Sequence, residues 1–493
     1  MSQDKPTVKH AILKDAFIYT AANYGSDALG ILVSILSKRF LGVVGAGYWT
    51  VLSVMQSYGM YATLGAKNAV FREIPQAIGA KQPERAKELQ NSAYSYVLIC
   101  GLIGALGFWI ASEFFFHNPA LKAGTKVIAF LVLILNLYNL ALTLLRARKK
   151  FAVLGKIIVL NMVFVFCFAL TGAYFFNVTG YACGLTLATL LSYGLAKKWG
   201  EMNFSFRLRW NEIRQLVVIG LPMVAASFLL RTFLSIDQIM VAKMLGAKSL
   251  GLYTVGLMAV QQVAAVPKFF GVALFPHIQE RFGETKRAED LRSMILKPTY
   301  FFSRVVPIFL GGVIFLLPVL VHYVLPQFKA GIPAMKILVF GYYFVIISEM
   351  SSTLLFTLDK QVRMAAVYGL LVLVAMGLNY VFISAGYGLL GAALATSISY
   401  CLFFMTLFTW AARQMMGWND LLKFYSGVTI SFLYFAISIV WIDRALNVNH
   451  VLGTALLKLL GLLVVSLPVL WRLERKEKLA AMVKQAFVEK FKS

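Results

Sequence analysis

The chain has 493 residues, 60% of them hydrophobic and 14% charged, with a mean hydropathy of +0.75. A soluble globular protein carries about a quarter charged residues, so a soluble enzyme, a disordered chain and a collagen-like chain are excluded. Forty-seven Lys and Arg stand against 21 Asp and Glu, a formal net charge of +26; where that charge sits decides between a nucleic-acid footprint and one face of a membrane protein.

Residues 1–15 are polar and mixed in sign, with Asp4, Lys5, Lys9, Lys14 and Asp15 and no small-residue cleavage site after a short apolar core, so the first apolar run is read as a retained span. A spanning helix needs about 20 mostly apolar residues. Such runs occur at 16–37, 47–66, 92–115, 126–145, 151–176, 180–196, 216–240, 250–275, 298–324, 334–357, 364–384, 387–411, 424–442 and 451–471. The sequence therefore predicts an all-α integral membrane protein with about fourteen transmembrane helices. Past Arg472 the chain is basic, with Leu479, Met482, Val483, Phe487 and Phe491 spaced for an amphipathic surface helix.

With the N-terminus inside, 33 of the 47 basic residues fall in the inner segments and 9 in the outer ones, which places both termini in the cytoplasm. That distribution removes the nucleic-acid reading and makes membrane lipid the partner of the basic face.

Self-comparison exposes a repeat. Leu41-Gly42-Val-Val-Gly-Ala-Gly47-Tyr48 resembles Leu245-Gly246-Ala-Lys-Ser-Leu-Gly251-Leu-Tyr253, with Gly42 and Gly246 lying 204 residues apart. Gly180-Tyr181-Ala-Cys-Gly184-Leu-Thr-Leu-Ala188-Thr189 matches Gly386-Tyr387-Gly-Leu-Leu-Gly391-Ala-Ala-Leu-Ala395-Thr396, with Thr189 and Thr396 lying 207 apart. The chain divides into a lobe of helices 1–6 (1–200), an inter-lobe cytoplasmic linker (201–215), a lobe of helices 7–12 (216–412), helices 13 and 14 (413–471) and the basic tail (472–493). Six is even, so the two six-helix lobes are pseudo-symmetric about an axis along the membrane normal, a transporter architecture.

The run Asp237-Gln-Ile-Met-Val-Ala-Lys-Met-Leu-Gly246-Ala-Lys-Ser-Leu-Gly251-Leu-Tyr253, followed by Pro267 and Leu274-Phe275-Pro276, resembles the signature of the polysaccharide flippases. Over about 15–410 the chain is similar to the O-antigen repeat-unit (Wzx-type) flippases of the MOP superfamily, which also holds the MATE exporters. The resemblance implies a bacterial inner-membrane transporter, not an enzyme, that moves an undecaprenyl-diphosphate-linked oligosaccharide from the inner to the outer leaflet. It also implies a polysaccharide polymerase and chain-length machinery as partners. Lipid II flippases carry arginines in helix 1, where this chain has Asn23 and Asp27, a departure that argues against lipid II as substrate.

Gly386-x-Gly388-x-x-Gly391 matches the dinucleotide fingerprint formally but joins two apolar helices with no strand before it. There is no phosphate-binding P-loop motif and no metal-ligand spacing among the five histidines, so no cofactor or metal is expected. Cys100, Cys167, Cys183 and Cys401 lie in apolar runs as small hydrophobes.

Intramembrane charges are expensive and mark function. Lys67, Arg231 and Lys268 are predicted to line a cationic cavity and hold a lipid diphosphate by charge-assisted hydrogen bonds. Asp27, Glu349 and Asp237 are the candidates for coupling to H+ or Na+. Asn23, Asn136 and Asn139 are read as polar cavity lining. Lys156, Arg304 and Lys458 are expected to snorkel toward the helix ends. The rival reading is a MATE-type H+- or Na+-coupled exporter of organic cations, which predicts an acidic cavity. A membrane glycosyltransferase or polymerase would want a long outer loop, and all outer loops are short.

Overall fold

A computed structural model describes the backbone of residues 5–477 apart from 447 and 449. Side chains are described from residue 22 to 471, save positions 68, 72, 219, 265, 266, 268–270, 272, 273 and 276. The expected amphipathic tail therefore lies outside the described side chains. Among the described residues every regular element is a helix.

The first compact unit runs to Gly251 and takes in Ala365–Gly369. It holds α1 (Lys5–Gly59), α2 (Ala66–Gly79), α3 (Pro83–Phe115), α4 (Pro119–Ala147), α5 (Phe151–Phe164), α6 (Leu170–Trp199), α7 (Trp210–Phe233) and the start of α8 (Ile236–Thr285). Helix α3 packs on α4, α4 on α6, and α1 on α5. Leu89, Ala93 and Val97 of α3 meet Leu140, Leu144 and Leu145 of α4 in one fully buried cluster. Small residues at such contacts let helices approach closely where lipid removes the hydrophobic drive to associate.

Two breaks carry the repeat seen in the sequence. Gly42 inside α1 has φ 67 and ψ −177, and Gly246 inside α8 has φ 81 and ψ 174, a combination open in practice only to glycine. Five residues beyond each break, the repeated glycines pack reciprocally. A Cβ on Gly47 would stand 1.9 Å from the Ala247 carbonyl oxygen, and one on Gly251 would stand 1.8 Å from that of Val43. The spacing that the two motifs share thus serves a mutual backbone contact.

A third break, at Phe176 and Asn177, turns the chain back on itself. A Cβ on Gly184 would lie 2.3 Å from the Phe168 carbonyl oxygen, whereas 16 residues of straight helix would separate them by about 24 Å. The polar linker is also ordered. Ser205 N–H donates to Asn91 Oδ1 (3.2 Å) and Arg207 N–H to Ser95 Oγ (2.9 Å). Gln90 donates to the Asn203 carbonyl (3.2 Å), and Arg209 pairs with Glu88 (2.6 Å). A polar stripe on α3 therefore holds the chain that leads into α7.

The second compact unit holds Leu252–Met364 and the residues from Leu370 onward. Its helices are the remainder of α8, α9 (Arg292–Tyr323), α10 (Ile332–Ile347), α11 (Glu349–Thr357), α12 (Gln361–Phe382), α13 (Gly388–Ala412), α14 (Trp418–Ala445) and α15 (Val451–Glu477). Helix α10 packs on α13, and α9 meets α10, α14 and α15. Gly386 and Gly388, with φ 88 and 53, make the fourth break. A Cβ on Gly391 would lie 2.8 Å from the Phe382 carbonyl oxygen, so the chain reverses here too.

Asp443 on α14 accepts from Lys336 (2.5 Å) and from Lys458 of α15 (2.9 Å). The snorkelling expected of Lys458 is corrected: its side chain is buried and spends its protons on Asp443. Arg304 instead stacks on Tyr300, 3.7 Å from the ring centre.

Among the described residues ten helical stretches are long and apolar enough to cross a membrane. Four of them, Ala22–Gly59, Phe151–Trp199, Gly220–Ala264 and Gln361–Ala412, contain one of the breaks. The expected fourteen spans do not appear as fourteen separate helices, because spans joined by tight breaks run together.

Candidate functional site

The site begins where α1 stops. After Gly59 the chain runs through a non-helical turn in which Leu64 and Gly65 have φ 44 and 83, and α2 starts at Ala66. Gly65 is pressed on Gly220 of α7, where a Cβ on either would lie within 2.5 Å of the other's carbonyl oxygen. In that turn the Tyr58 and Gly59 carbonyls accept from Tyr61 and Ala62 three residues on, and a helix C-terminus favours cations.

Lys67 meets that end. Its ammonium donates to Asn136 Oδ1 (2.8 Å) and to the Met60 carbonyl (3.4 Å). Asn136 is fully buried, and its amide N–H₂ donates to the Gly59 carbonyl (3.2 Å) and to Val132 of its own helix (2.9 Å). Both donors being taken, only its oxygen faces Lys67. Lys67 lies outside the ten spans, and burial pulls its ammonium from the usual lysine range down to about 8.

Arg231 reaches the same cavity from α7. It donates to Ser57 Oγ (3.1 Å), and Tyr61 donates to the Ser227 carbonyl (3.2 Å). Burial raises the Tyr61 phenol, an effect that Arg231 partly offsets. Ser57, Met60, Tyr61, Thr63, Gly65, Lys67, Val224, Ser227 and Arg231 surround a cavity of about 460 Å³. Two of these lining residues are cationic and none is a carboxylate. Fixed cations, hydroxyls and the N-terminal end of α2 suit an anion with several oxygen acceptors.

Each of the other predicted residues is described in turn. Lys268 belongs to α8, and its side chain is outside the described residues. Asp27 is exposed and Asn23 half-buried on α1. Asp237 is buried, with Oδ1 accepting the Gln238 N–H at 2.8 Å. Asn139 donates to Leu135 one turn back on its own helix (2.8 Å). Glu349 is half-buried in the second unit beside Gly271.

Residues 12–282 match the family described as polysaccharide biosynthesis protein. The chain belongs to that family. No curated protein matches. Among solved structures, an inward-facing MATE multidrug-resistance transporter of the MOP superfamily aligns with TM-score 0.69 at 14% identity, covering 78% of this chain and 94% of that one. The lipid II flippase MurJ in an inward closed conformation aligns with TM-score 0.66 at 14% identity, over 92% and 99%. A MOP superfamily transporter from Pyrococcus furiosus, described as having a binding pocket of reversed polarity, aligns with TM-score 0.60 at 14% identity, over 82% and 96%. At such identity the likeness is one of fold. The fold is the one those solved membrane transporters and flippases share.

Sequence reasoning picked out Lys67, Arg231 and Asn136 as charged or polar groups in apolar runs. It missed Ser57 and Ser227, which look like ordinary helix residues and gain meaning only from the break after Gly59; Tyr61 had stood out only as one of an early cluster of tyrosines.

Proposed function

We propose that this member of the polysaccharide biosynthesis family is a flippase for a lipid-diphosphate-linked oligosaccharide. It moves an undecaprenyl-diphosphate-linked repeat unit of a surface polysaccharide from the inner to the outer leaflet of a bacterial inner membrane, by alternating access and without catalysis. Both termini are cytoplasmic in this reading, and polymerase and chain-length machinery act downstream. The single observation that carries it is the pocket shared by Lys67 and Arg231, whose lining, among the described residues, holds two cations and no carboxylate. A diphosphate loses its hydration in hydrocarbon, and fixed cations with hydroxyl donors replace it. The same polarity disfavours the exporter of organic cations, which needs acidic lining. Lys268 is retained as a third cation, and Asp27, Glu349 and Asp237 as the groups that couple transport to H+ or Na+.

The test is binding. Inorganic pyrophosphate should protect the purified protein against thermal unfolding, and Lys67→Gln with Arg231→Gln should abolish the protection while the protein still folds. Equal protection of the double variant would remove the pocket from the account.

A further inference from the structure

A second cavity in the first unit, of about 620 Å³, has a different character. It follows α1 from Tyr48 to Tyr58 and α8 from Leu250 back to Gln238, with the end of α3 across from them. Ten residues of helix rise about 15 Å, which is half of a hydrocarbon core of about 30 Å. The cavity is as deep as one leaflet.

Its walls are apolar along that depth, with side chains such as Val54, Met55, Phe108 and Ile239. Polar groups are confined to a few tips, and one of its lining residues, Lys243, carries a charge. Lys243 is exposed and stands three residues before the Gly246 break, where the apolar first stretch of α8 ends. Phe115, also in the lining, is 76% exposed, an aromatic surface that hydrocarbon covers and water does not. The far end stops at Tyr58, whose hydroxyl is hydrogen-bonded to Ser235 Oγ (3.1 Å). The Phe228 ring packs on both Tyr58 and Tyr61, with centroids 5.5 Å apart in each case. Beyond this barrier lie Ser57 and Arg231 of the cationic pocket.

We infer that this cavity holds one acyl chain of an anionic phospholipid, with the lipid phosphate on Lys243. The blind apolar shaft takes the chain, its depth matches the chain's own leaflet, and the cation stands at the level of the headgroups. A free anion gains nothing from the apolar walls, and a zwitterionic lipid, whose choline offsets its phosphate, gains less from the lysine than a lipid of net negative charge. The site is separate from the cationic pocket and does not depend on what that pocket transports.

The full-length protein, in phosphatidylcholine vesicles, is tested with trace phosphatidylglycerol bearing a photoreactive group at its chain end. Phosphatidylcholine with the same chain serves as control. Phosphatidylglycerol should label peptides from 48–58 and 238–250. Lys243→Gln should lower that labelling about five-fold. Ala242→Trp, which fills the shaft, should abolish it without moving the melting temperature by more than a few degrees. Should that variant fail to fold, Lys243→Gln alone decides. Equal labelling by the two lipids, labelling unchanged by Lys243→Gln, or labelling confined to other peptides would each overturn the site.

Discussion

Asn136 accepts the shorter of the two hydrogen bonds that the Lys67 ammonium donates, and replacing it with Leu isolates what that bond contributes. A hydrogen bond to a charged group contributes about 1.5–3 kcal/mol. The contact at 2.8 Å is removed, leaving Lys67 with the longer bond to Met60 at 3.4 Å. Gly59 also loses its side-chain donor. Taking the lower figure, because Lys67 is only half-buried, the charged form becomes costlier by about 1.5 kcal/mol. That lowers the ammonium from about 8 by roughly one further pH unit. Anion binding needs the charged lysine, so affinity is full below its pKa in the free protein and declines as pH rises through it. Affinity for sulfate, an anion that does not itself titrate over this range, followed from pH 6 to 9.5 by calorimetry in nanodiscs, should fall as Lys67 loses its proton, with a midpoint of about 8 in the parent. The midpoint should lie about one unit lower in Asn136→Leu. Asn136→Asp should hold Lys67 charged and move the midpoint upward while cancelling its charge and weakening binding throughout. An unchanged midpoint in Asn136→Leu would refute the positioning role.

Three other outcomes follow from packing. Gly47→Ala and Gly251→Ala each force a methyl against a carbonyl oxygen less than 2 Å away, and each should destabilise the fold by about 1–3 kcal/mol, read as loss of melting temperature in detergent. Asp443→Asn leaves Lys336 and the buried Lys458 without their carboxylate; a partly exposed pair costs less than a fully buried one, so about 2 kcal/mol is expected, and Lys458→Met in the same chain should restore much of it. Asn91→Leu with Ser95→Val removes the α3 acceptors of the linker, and limited proteolysis should then cut within 201–209 faster than in the parent.

Much of this was legible in the residues. The apolar runs gave the membrane class, and the paired motifs around Gly42 and Gly246 marked the positions that break α1 and α8. The reason for those motifs was not legible, because the reciprocal seating of Gly47 and Gly251 joins segments some 200 residues apart. Separate spans were counted from apolar runs, whereas the backbone passes through Asn177 and Gly388 so tightly that neighbouring spans merge. Of the site, Lys67 and Arg231 announced themselves as charges in apolar surroundings. Asn139 had the same appearance as Asn136, yet its amide donates to Leu135 of its own helix, a difference of helix face that composition does not encode. Lys458 looked like a snorkelling residue until Asp443, 15 positions earlier, came to lie beside it.

The most direct measurement is movement of the substrate itself. Purified protein in vesicles is given an undecaprenyl-diphosphate-linked oligosaccharide with a fluorescent sugar, and its appearance in the opposite leaflet is followed by quenching from outside. Movement by the parent protein is expected, lost in the Lys67→Gln, Arg231→Gln double variant although that variant inserts and folds. Export of an organic cation with no movement of the lipid, or full movement by the double variant, would contradict it.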